Sequence, residues 1–136
     1  MTIERSILIV DDETELAEEL GEFFVSMGWQ ARVCFTAPAA YAALQEGLAP
    51  DCLLTDLRIA DHDGAELVAQ VRQMPKDLQP KVVAIITGHV VSETEAADFN
   101  ADYLFVKPVD PVLVMEVVER LLSDATASDR EAMLRG

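Results

Sequence analysis

Four short apolar runs in this chain are each followed by a polar residue that could take part in chemistry. The runs are residues 7–10, 52–55, 82–86 and 103–106, and the polar residues that follow them are Asp11 with Asp12, Asp56, Thr87 and Lys107. Short apolar runs separated by helical patterns are typical of parallel strands that are buried on both faces. Because ligands bind at the carboxyl ends of such strands, we expect three carboxylates, a hydroxyl and an ammonium in one crevice. This set of charges suits a divalent cation and a phosphoryl group.

Helical signals fill the intervals between these runs. Asp12, with Glu15 three residues later, predicts the start of a first helix whose apolar stripe ends before Gly28. The predicted stripe comprises Leu16, Leu20, Phe23, Phe24 and Met27. Later signals predict a second strand at 30–34, helices starting at Thr36 and Gly64, a short acidic fourth helix with a capping box at 92–95, and a fifth helix at Asp110 and Pro111. The sum is an α/β chain of five strands alternating with five helices, joined by right-handed crossovers.

Composition limits the classes of function. The 136 residues, 51% of them hydrophobic, fit one ordinary domain with a full core. The 25 acidic residues against 10 basic ones give a net charge of −15, which disfavours direct binding to nucleic acid or to an anionic membrane. Because no stretch could span a bilayer and the N-terminus lacks a signal-peptide pattern, we expect a cytoplasmic protein. Cys34 and Cys52 are expected at opposite ends of the sheet, buried and without a disulfide.

The polar residues at these strand ends match a known family in order and position. The acidic pair Asp11 and Asp12, the acceptor Asp56, Thr87 with Gly88, Lys107 with Pro108, and the turn at Asp63 and Gly64 together resemble the receiver domain of response regulators in two-component signal transduction, of the chemotaxis-regulator type. The resemblance implies a flavodoxin-like (βα)5 three-layer sandwich with a five-stranded parallel sheet in the order 2-1-3-4-5. It assigns residues 1–122 to the receiver domain. Residues 123–136 are then a C-terminal tail, or a linker stub if the chain is cut from a longer regulator.

The predicted site combines metal binding with phosphoryl transfer. Three carboxylates within a few ångströms of one another repel, and a divalent cation such as Mg2+, or Mn2+ in its place, relieves the repulsion. The ligands are expected from Asp11, Asp12 and Asp56, and the resemblance adds the backbone carbonyl of Arg58. An Asp56 oxygen then accepts the phosphoryl group to give an aspartyl phosphate, while Lys107 neutralises charge on the phosphoryl oxygens.

The resemblance also implies partners and a mode of signalling. A sensor histidine kinase or a phosphotransfer protein would supply the phosphoryl group, and Thr87 would donate a hydrogen bond to it. The change would reach a downstream protein target, an attached output domain or a second copy of the chain. The protein would thus be a signalling switch that catalyses only its own Mg2+-dependent phosphorylation and dephosphorylation. The expected switch residues are Thr87, Gly88, Leu104 and Pro108.

Three departures from the family pattern concern this switch. Leu104 stands where the family has an aromatic residue, and Tyr103 and Phe105 beside it alternate onto the other face. The interval from Thr87 to Lys107 is about half a helical turn short, so the fourth helix should be truncated. Asn100 stands where the family usually has glycine. We therefore expect the loop 88–91 and the fourth helix to carry the signal, rather than an aromatic rotamer.

Two other classes of function fit parts of the pattern. One is a docking module of the same fold that is never phosphorylated. The other is a Mg2+ phosphatase of the haloacid-dehalogenase type, which needs an acid two residues after the nucleophile, where this chain has Arg58. Several residues also have a simpler interpretation than a functional one. Asp61, His62 and Asp63 are interpreted as a solvated loop rather than a metal cluster, His89 as lining the pocket mouth, and Glu13 as a first-turn helix residue rather than a metal ligand.

Overall fold

The fold is built on five parallel strands, four at the apolar runs and one at the second strand predicted for 30–34. The computed structural model describes residues 4–59, 62–88 and 99–135. The strands of the main sheet are β1 Ser6–Val10, β2 Gln30–Cys34, β3 Cys52–Asp56, β4 Val82–Thr87 and β5 Tyr103–Val106. They pair in parallel in the order β2-β1-β3-β4-β5. The predicted strand order is confirmed.

Helices cover both faces of this sheet. They are α1 Thr14–Ser26, α2 Ala37–Gln45, α3 Gly64–Arg72 and a C-terminal helix Pro111–Arg135, with a 3-10 turn at Lys76–Leu78. One core cluster packs α1 and the C-terminal helix against the sheet, and the second packs α2 and α3 against the opposite face. The three-layer sandwich is therefore confirmed. The predicted fourth helix at 92–95, the loop 89–91, His89 and Asp61 lie outside the described residues.

The start of α1 differs from the prediction. Asp12 is not the N-cap, because the helix begins at Thr14 and Glu13 occupies the cap position without a side-chain hydrogen bond. Instead, Asp11 Oδ1 accepts a hydrogen bond of 2.9 Å from the backbone N–H of Glu13. Asp11 thus takes over the capping contact from the strand end, and Asp12 is left to face the crevice. The caps predicted at Thr36 and Asp110 both accept first-turn backbone hydrogen bonds.

The apolar stripe of α1 is confirmed except at its end. Leu20 and Phe24 are buried, and Leu16 and Phe23 pack against the same core. Met27 is 51% exposed, because the helix ends at Ser26 and Met27 forms its C-cap.

Both cysteines are free and buried, and the register places them at opposite ends of the sheet, as predicted. Trp29 is buried edge-on against Phe24, with 5.0 Å between the ring centroids, and therefore has a packing role.

The loop that follows β3 is more ordered than predicted. It contains a two-residue antiparallel pairing of Arg58–Ile59 with His62–Asp63, and Ile59 is fully buried. Asp63 then caps α3 by accepting a 2.8 Å hydrogen bond from Ala65 N. A Cβ atom on Gly64 would overlap the carbonyl oxygen of Asp56, so only glycine fits where this turn passes the end of β3.

The C-terminal helix extends further than its apolar stripe indicated. Val114 and Val118 of its apolar stripe are buried and Val117 and Leu121 pack against the same core, but the backbone stays helical beyond them to Arg135. Residues 123–135 continue this helix, and the domain boundary at residue 122, with the tail or linker stub after it, stays a prediction. Among the described residues, no helix combines the length and apolar character needed to cross a bilayer.

Candidate functional site at the carboxyl edge of the sheet

Adjacent strands bring the predicted site residues to one edge of the sheet. Asp11 follows β1, Asp56 ends β3, Thr87 ends β4 and Lys107 follows β5. The register pairs Asp56 with Ile86 and Thr87 with Val106, so the strand ends lie level with one another. The backbone N–H of Lys107 donates a 2.8 Å hydrogen bond to the carbonyl of Thr87, which extends the pairing of β4 and β5 beyond the strands.

Asp56, Thr87 and Lys107 border a cleft of about 480 Å³. The residues that line it are Asp12, Glu13, Asp56, Leu57, Arg58, Thr87, Gly88 and Lys107. Asp11 is 2% exposed, Asp56 7% and Thr87 5%, and these three with Thr55 are the buried polar residues of the described chain. Burying polar groups is unfavourable unless they are paired. Among the described residues, the buried polar groups are concentrated at this edge of the sheet.

The Lys107 ammonium is the cation among these acids. Its Nζ lies 3.3 Å from Asp11 Oδ2, 3.4 Å from Asp56 Oδ2 and 3.0 Å from Glu13 Oε1. The contacts to Glu13 and Asp56 have hydrogen-bond geometry. The contact to Asp11 does not, so Asp11 Oδ2 is buried without a hydrogen bond among the described residues. One ammonium therefore faces several carboxylates and leaves an excess of negative charge.

The three aspartates fit a divalent cation. Carboxylate oxygens of Asp11, Asp12 and Asp56 lie within 4.8 Å of one another. The buried Asp11 oxygen without a hydrogen bond is a ready ligand, and an all-oxygen set of this kind suits Mg2+ or Mn2+. Arg58 lines the same cleft, as its predicted role as a backbone ligand requires.

The surroundings of Asp56 change its acidity. Burial and then the charge of Asp11 raise the pKa of Asp56 to about 6, although Lys107 and a backbone hydrogen bond with Arg58 act in the opposite direction. A carboxyl with a pKa of about 6 is mostly ionised at neutral pH, yet its charge is poorly stabilised. Burial lowers the pKa of Lys107, but the hydrogen bond to Glu13 and the nearby carboxylates outweigh it and raise the pKa overall.

The expected switch residues occupy two environments. Gly88 borders the cleft, and the Lys107–Pro108 peptide bond beside it is cis. Leu104 packs into the core on the α2 and α3 face, whereas Phe105 is buried in the other core. The rings of Tyr103 and Phe105 lie 4.7 Å apart on that other face, as the alternation predicted.

Asn100 adopts a left-handed backbone conformation with φ of 58°, which explains how asparagine can stand in for the usual glycine. Its carbonyl accepts a 3.1 Å hydrogen bond from Arg72 Nε, which connects the segment before β5 to the end of α3.

Sequence reasoning missed the contact between Glu13 and Lys107. The two residues are 94 positions apart, and no pattern in the sequence indicates that their side chains meet. Only the acidic character of residues 11–13 hinted that a third acid lies near the site. Among the described residues, the clustered carboxylates that could hold a metal are those of the three aspartates, and Glu13 pairs with lysine instead.

Fold and site together define a doubly wound α/β domain with an acidic, lysine-containing cleft at the carboxyl edge of its sheet. Residues 7–119 match the family model for the response regulator receiver domain. The chain therefore belongs to this family, and it is the receiver domain of a two-component response regulator. This match supports neither the docking module nor the phosphatase.

Individual relatives agree with the family match. An uncharacterized 14.6 kDa protein from the sodA1 3' region of Leptolyngbya boryana is 31% identical over 86% of this chain and 89% of its own length. An uncharacterized response regulatory protein of Vibrio cholerae is 33% identical over 91% of this chain and 51% of its own. The chain thus spans about half of the Vibrio protein. It spans 25%, 23% and 61% of three relatives named as transcriptional regulators.

Solved structures confirm the fold. A CheY-like response regulator receiver domain protein from Methanospirillum hungatei superposes with a TM-score of 0.80 over 93% of this chain and 99% of that protein. The two are 23% identical, so this likeness establishes the fold alone.

Proposed function

We propose that Asp56 is the phosphoacceptor of this receiver domain and that Mg2+ supports the transfer. The observation that carries the proposal is the position of the Asp56 carboxylate. It is buried at the carboxyl edge, within 4.8 Å of ligand oxygens from Asp11 and Asp12, and 3.4 Å from Lys107 Nζ. Asp11 has the same neighbours, with Lys107 Nζ at 3.3 Å, but its Oδ1 already accepts a hydrogen bond from the Glu13 N–H, whereas Asp56 is among the residues that line the cleft.

The residues around Asp56 have distinct roles in this proposal. One Asp56 oxygen forms a bond to phosphorus, the bond from phosphorus to the donor nitrogen breaks, and the donor imidazole keeps the electron pair. Asp56 is competent because its ionised form predominates at neutral pH. Lys107 offsets the negative charge of the phosphoryl oxygens, and the Thr87 hydroxyl donates a hydrogen bond to them.

The metal would be held by Asp11, Asp12, Asp56 and the backbone carbonyl of Arg58. When bound, Mg2+ supplies charge neutralisation for the carboxylates and for the phosphoryl oxygens. The chain itself supplies the fixed positions of these ligands, because they follow strands of one sheet.

The proposed donor is a sensor histidine kinase or a phosphotransfer protein, as for the family. Such a partner has to approach the cleft past α1, where Glu15, Glu18, Glu19 and Glu22 are all exposed. A basic or apolar docking patch on the donor would complement this face. Since several relatives are named as transcriptional regulators, we further propose an attached output domain or a downstream protein target as the receiver of the signal, with a second copy of the chain as another docking partner.

The acceptor assignment can be tested by incubating the protein with acetyl phosphate and Mg2+. A labile mass gain of one phosphoryl group is expected on the wild type and on Asp77→Asn, which removes an exposed carboxylate far from the cleft. Asp56→Asn should show no gain. A wild type that gains no phosphoryl group would indicate the docking module. Steady turnover of a phosphoester, measured in a separate incubation with Mg2+, would indicate the phosphatase.

We propose that the conformational change passes through Gly88 and the residues after it. Thr87 and Lys107 contact the phosphoryl group, and Leu104 and Pro108 adjust their positions in response. Leu104 is packed in the α2 and α3 core and has no ring that could change rotamer. Amide chemical shifts with and without a phosphoryl mimic would test this. Changes at residues 88–91 are expected, and changes confined to residues 103–106 would contradict the proposal.

A further inference from the structure

Lys107 has a third carboxylate partner outside the proposed acceptor and metal ligands. Its Nζ lies 3.0 Å from Glu13 Oε1, closer than to Asp11 at 3.3 Å or to Asp56 at 3.4 Å. The three partners differ in exposure. The side chain of Glu13 is 62% exposed, whereas those of Asp11 and Asp56 are 2% and 10% exposed. The Glu13 side chain can therefore leave Lys107 and be hydrated by solvent at a low cost in free energy.

The backbone of Glu13 is fixed although its side chain is exposed. Asp11 Oδ1 accepts a hydrogen bond from its N–H, and its carbonyl accepts one of 3.0 Å from Ala17 N at the start of α1. The residue is therefore anchored at the rim of the cleft, and only its side chain extends across to the lysine that follows β5. In this arrangement one ammonium donates hydrogen bonds to a surface carboxylate and to the buried acceptor at the same time.

We propose that Glu13 is a positioning residue that competes with the phosphoryl group on Asp56 for Lys107. It holds the ammonium while Asp56 carries no phosphoryl group and releases it when one is present. This inference rests on the proposed function, because it names the contact that the phosphoryl oxygens displace.

The exchange is favoured by charge and is inexpensive. A phosphoryl group adds a charge of about −1.5 to −2 beside the lysine. An exposed ion pair such as that of Glu13 contributes little, because water and salt screen it. The phosphoryl oxygens therefore displace Glu13 from Lys107. The stronger the Glu13 contact, the more its loss lowers the net affinity for the phosphoryl group.

The test uses beryllofluoride, a non-reacting phosphoryl mimic, titrated at saturating Mg2+ and followed by amide chemical shifts. Glu13→Gln is expected to bind the mimic about threefold more tightly, as loss of a weak competing pair predicts. Glu13→Asp keeps the charge but shortens the side chain by one methylene. It should behave like Glu13→Gln if the contact matters, and like the wild type if only the charge matters. Glu15→Gln is the matched control, because it removes one exposed charge from the first turn of α1.

A second measurement does not depend on the mimic. The chain has three lysines, so the ε-methylene resonances of Lys107 can be assigned in the metal-free protein. They should shift in both Glu13 variants and stay unchanged in Glu15→Gln. The inference is overturned if Glu13→Asp binds the mimic like the wild type, if Glu15→Gln reproduces the gain, or if the Lys107 resonances do not move. If the wild type binds no mimic at all, the proposed function fails, while the lysine resonances still decide whether Glu13 holds Lys107.

Discussion

Replacing Asp56 with asparagine is expected to stabilise the metal-free protein at neutral pH. Burial and the charge of Asp11 raise the pKa of Asp56 to about 6, from its ordinary 3.8. The folded state therefore resists ionisation of this carboxyl more than the unfolded state does. The contribution of Asp56 to the free energy of unfolding therefore falls as the pH rises from about 3.8 to about 6, and this loss is complete above that range. Asparagine keeps the shape of the side chain and removes the charge.

The size of the effect follows from the same values. A rise of the pKa from 3.8 to about 6 corresponds to at most about 3 kcal/mol of unfavourable free energy at neutral pH. Relaxation around the charge reduces this, so we expect Asp56→Asn to gain about 1 to 3 kcal/mol at about pH 7.5 and less than about 1 kcal/mol at about pH 4. Added Mg2+ should narrow the difference, because it binds the native wild-type carboxylates.

Urea unfolding followed by tryptophan fluorescence measures this difference. Trp29 is the single tryptophan of the chain, and it is buried next to β2 at the end of the sheet opposite the cleft. Asp77→Asn serves as the control, because it removes an exposed charge and should change stability by less than about 0.5 kcal/mol. The reasoning is refuted if Asp56→Asn is no more stable than the wild type at about pH 7.5 without metal. A gain that is equally large at about pH 4 would refute it too.

Three further substitutions test the packing and charges around the site. Gly64→Ala should lower the free energy of unfolding in urea by about 1 to 3 kcal/mol, because its Cβ would overlap Asp56 O. Its control is Gly88→Ala, whose Cβ has no neighbour within 4 Å among the described residues and which should change stability by less than about 0.5 kcal/mol. Lys107→Met should raise the pKa of Asp56 further, because the ammonium lowers it; a carboxyl-carbon NMR titration with an unchanged midpoint would contradict this. Asn100→Ala should cost about 1 kcal/mol because the backbone is left-handed there, while Asn100→Gly should not; equal stability of the two variants would argue against the conformation.

The strands and the site were predictable because they depend on short-range patterns. Short apolar runs bounded by turn signals are typical of parallel strands, and the predicted bounds of β1 and β4 differ from the structure by one residue. The run at β5 is the exception in burial, because β5 is an edge strand and its Tyr103 and Val106 are exposed. The polar residue after each run then has to lie at the carboxyl edge. The strand order itself came from the resemblance, since periodicity does not specify which strands are neighbours.

The features that were missed depend on contacts between distant residues. The sequence does not show which of the adjacent acids is the N-cap of α1. That depends on the hydrogen bond from the Glu13 N–H to the side chain of Asp11, which follows β1. The contact of Glu13 with Lys107 depends on the register of β5 against β4. The length of the C-terminal helix did have a local sequence signal, although its apolar stripe ends earlier. Residues 112–135 contain neither proline nor glycine, and nothing in the chain there interrupts a helix.

Packing around β5 limits how a change at Asp56 can spread. Leu104 and Phe105 are held in opposite cores, so the strand is fixed on both faces. The N–H of Lys107 donates to the Thr87 carbonyl, so the two side chains proposed to contact the phosphoryl group project from strand ends that are bonded to each other. A pull on both side chains therefore strains the backbone where β4 ends. The next residue is Gly88, whose Cβ position has no neighbour within 4 Å among the described residues. Since interiors as closely packed as these transmit displacement rather than absorb it, the movement should leave the sheet at Gly88 and continue into the residues that follow.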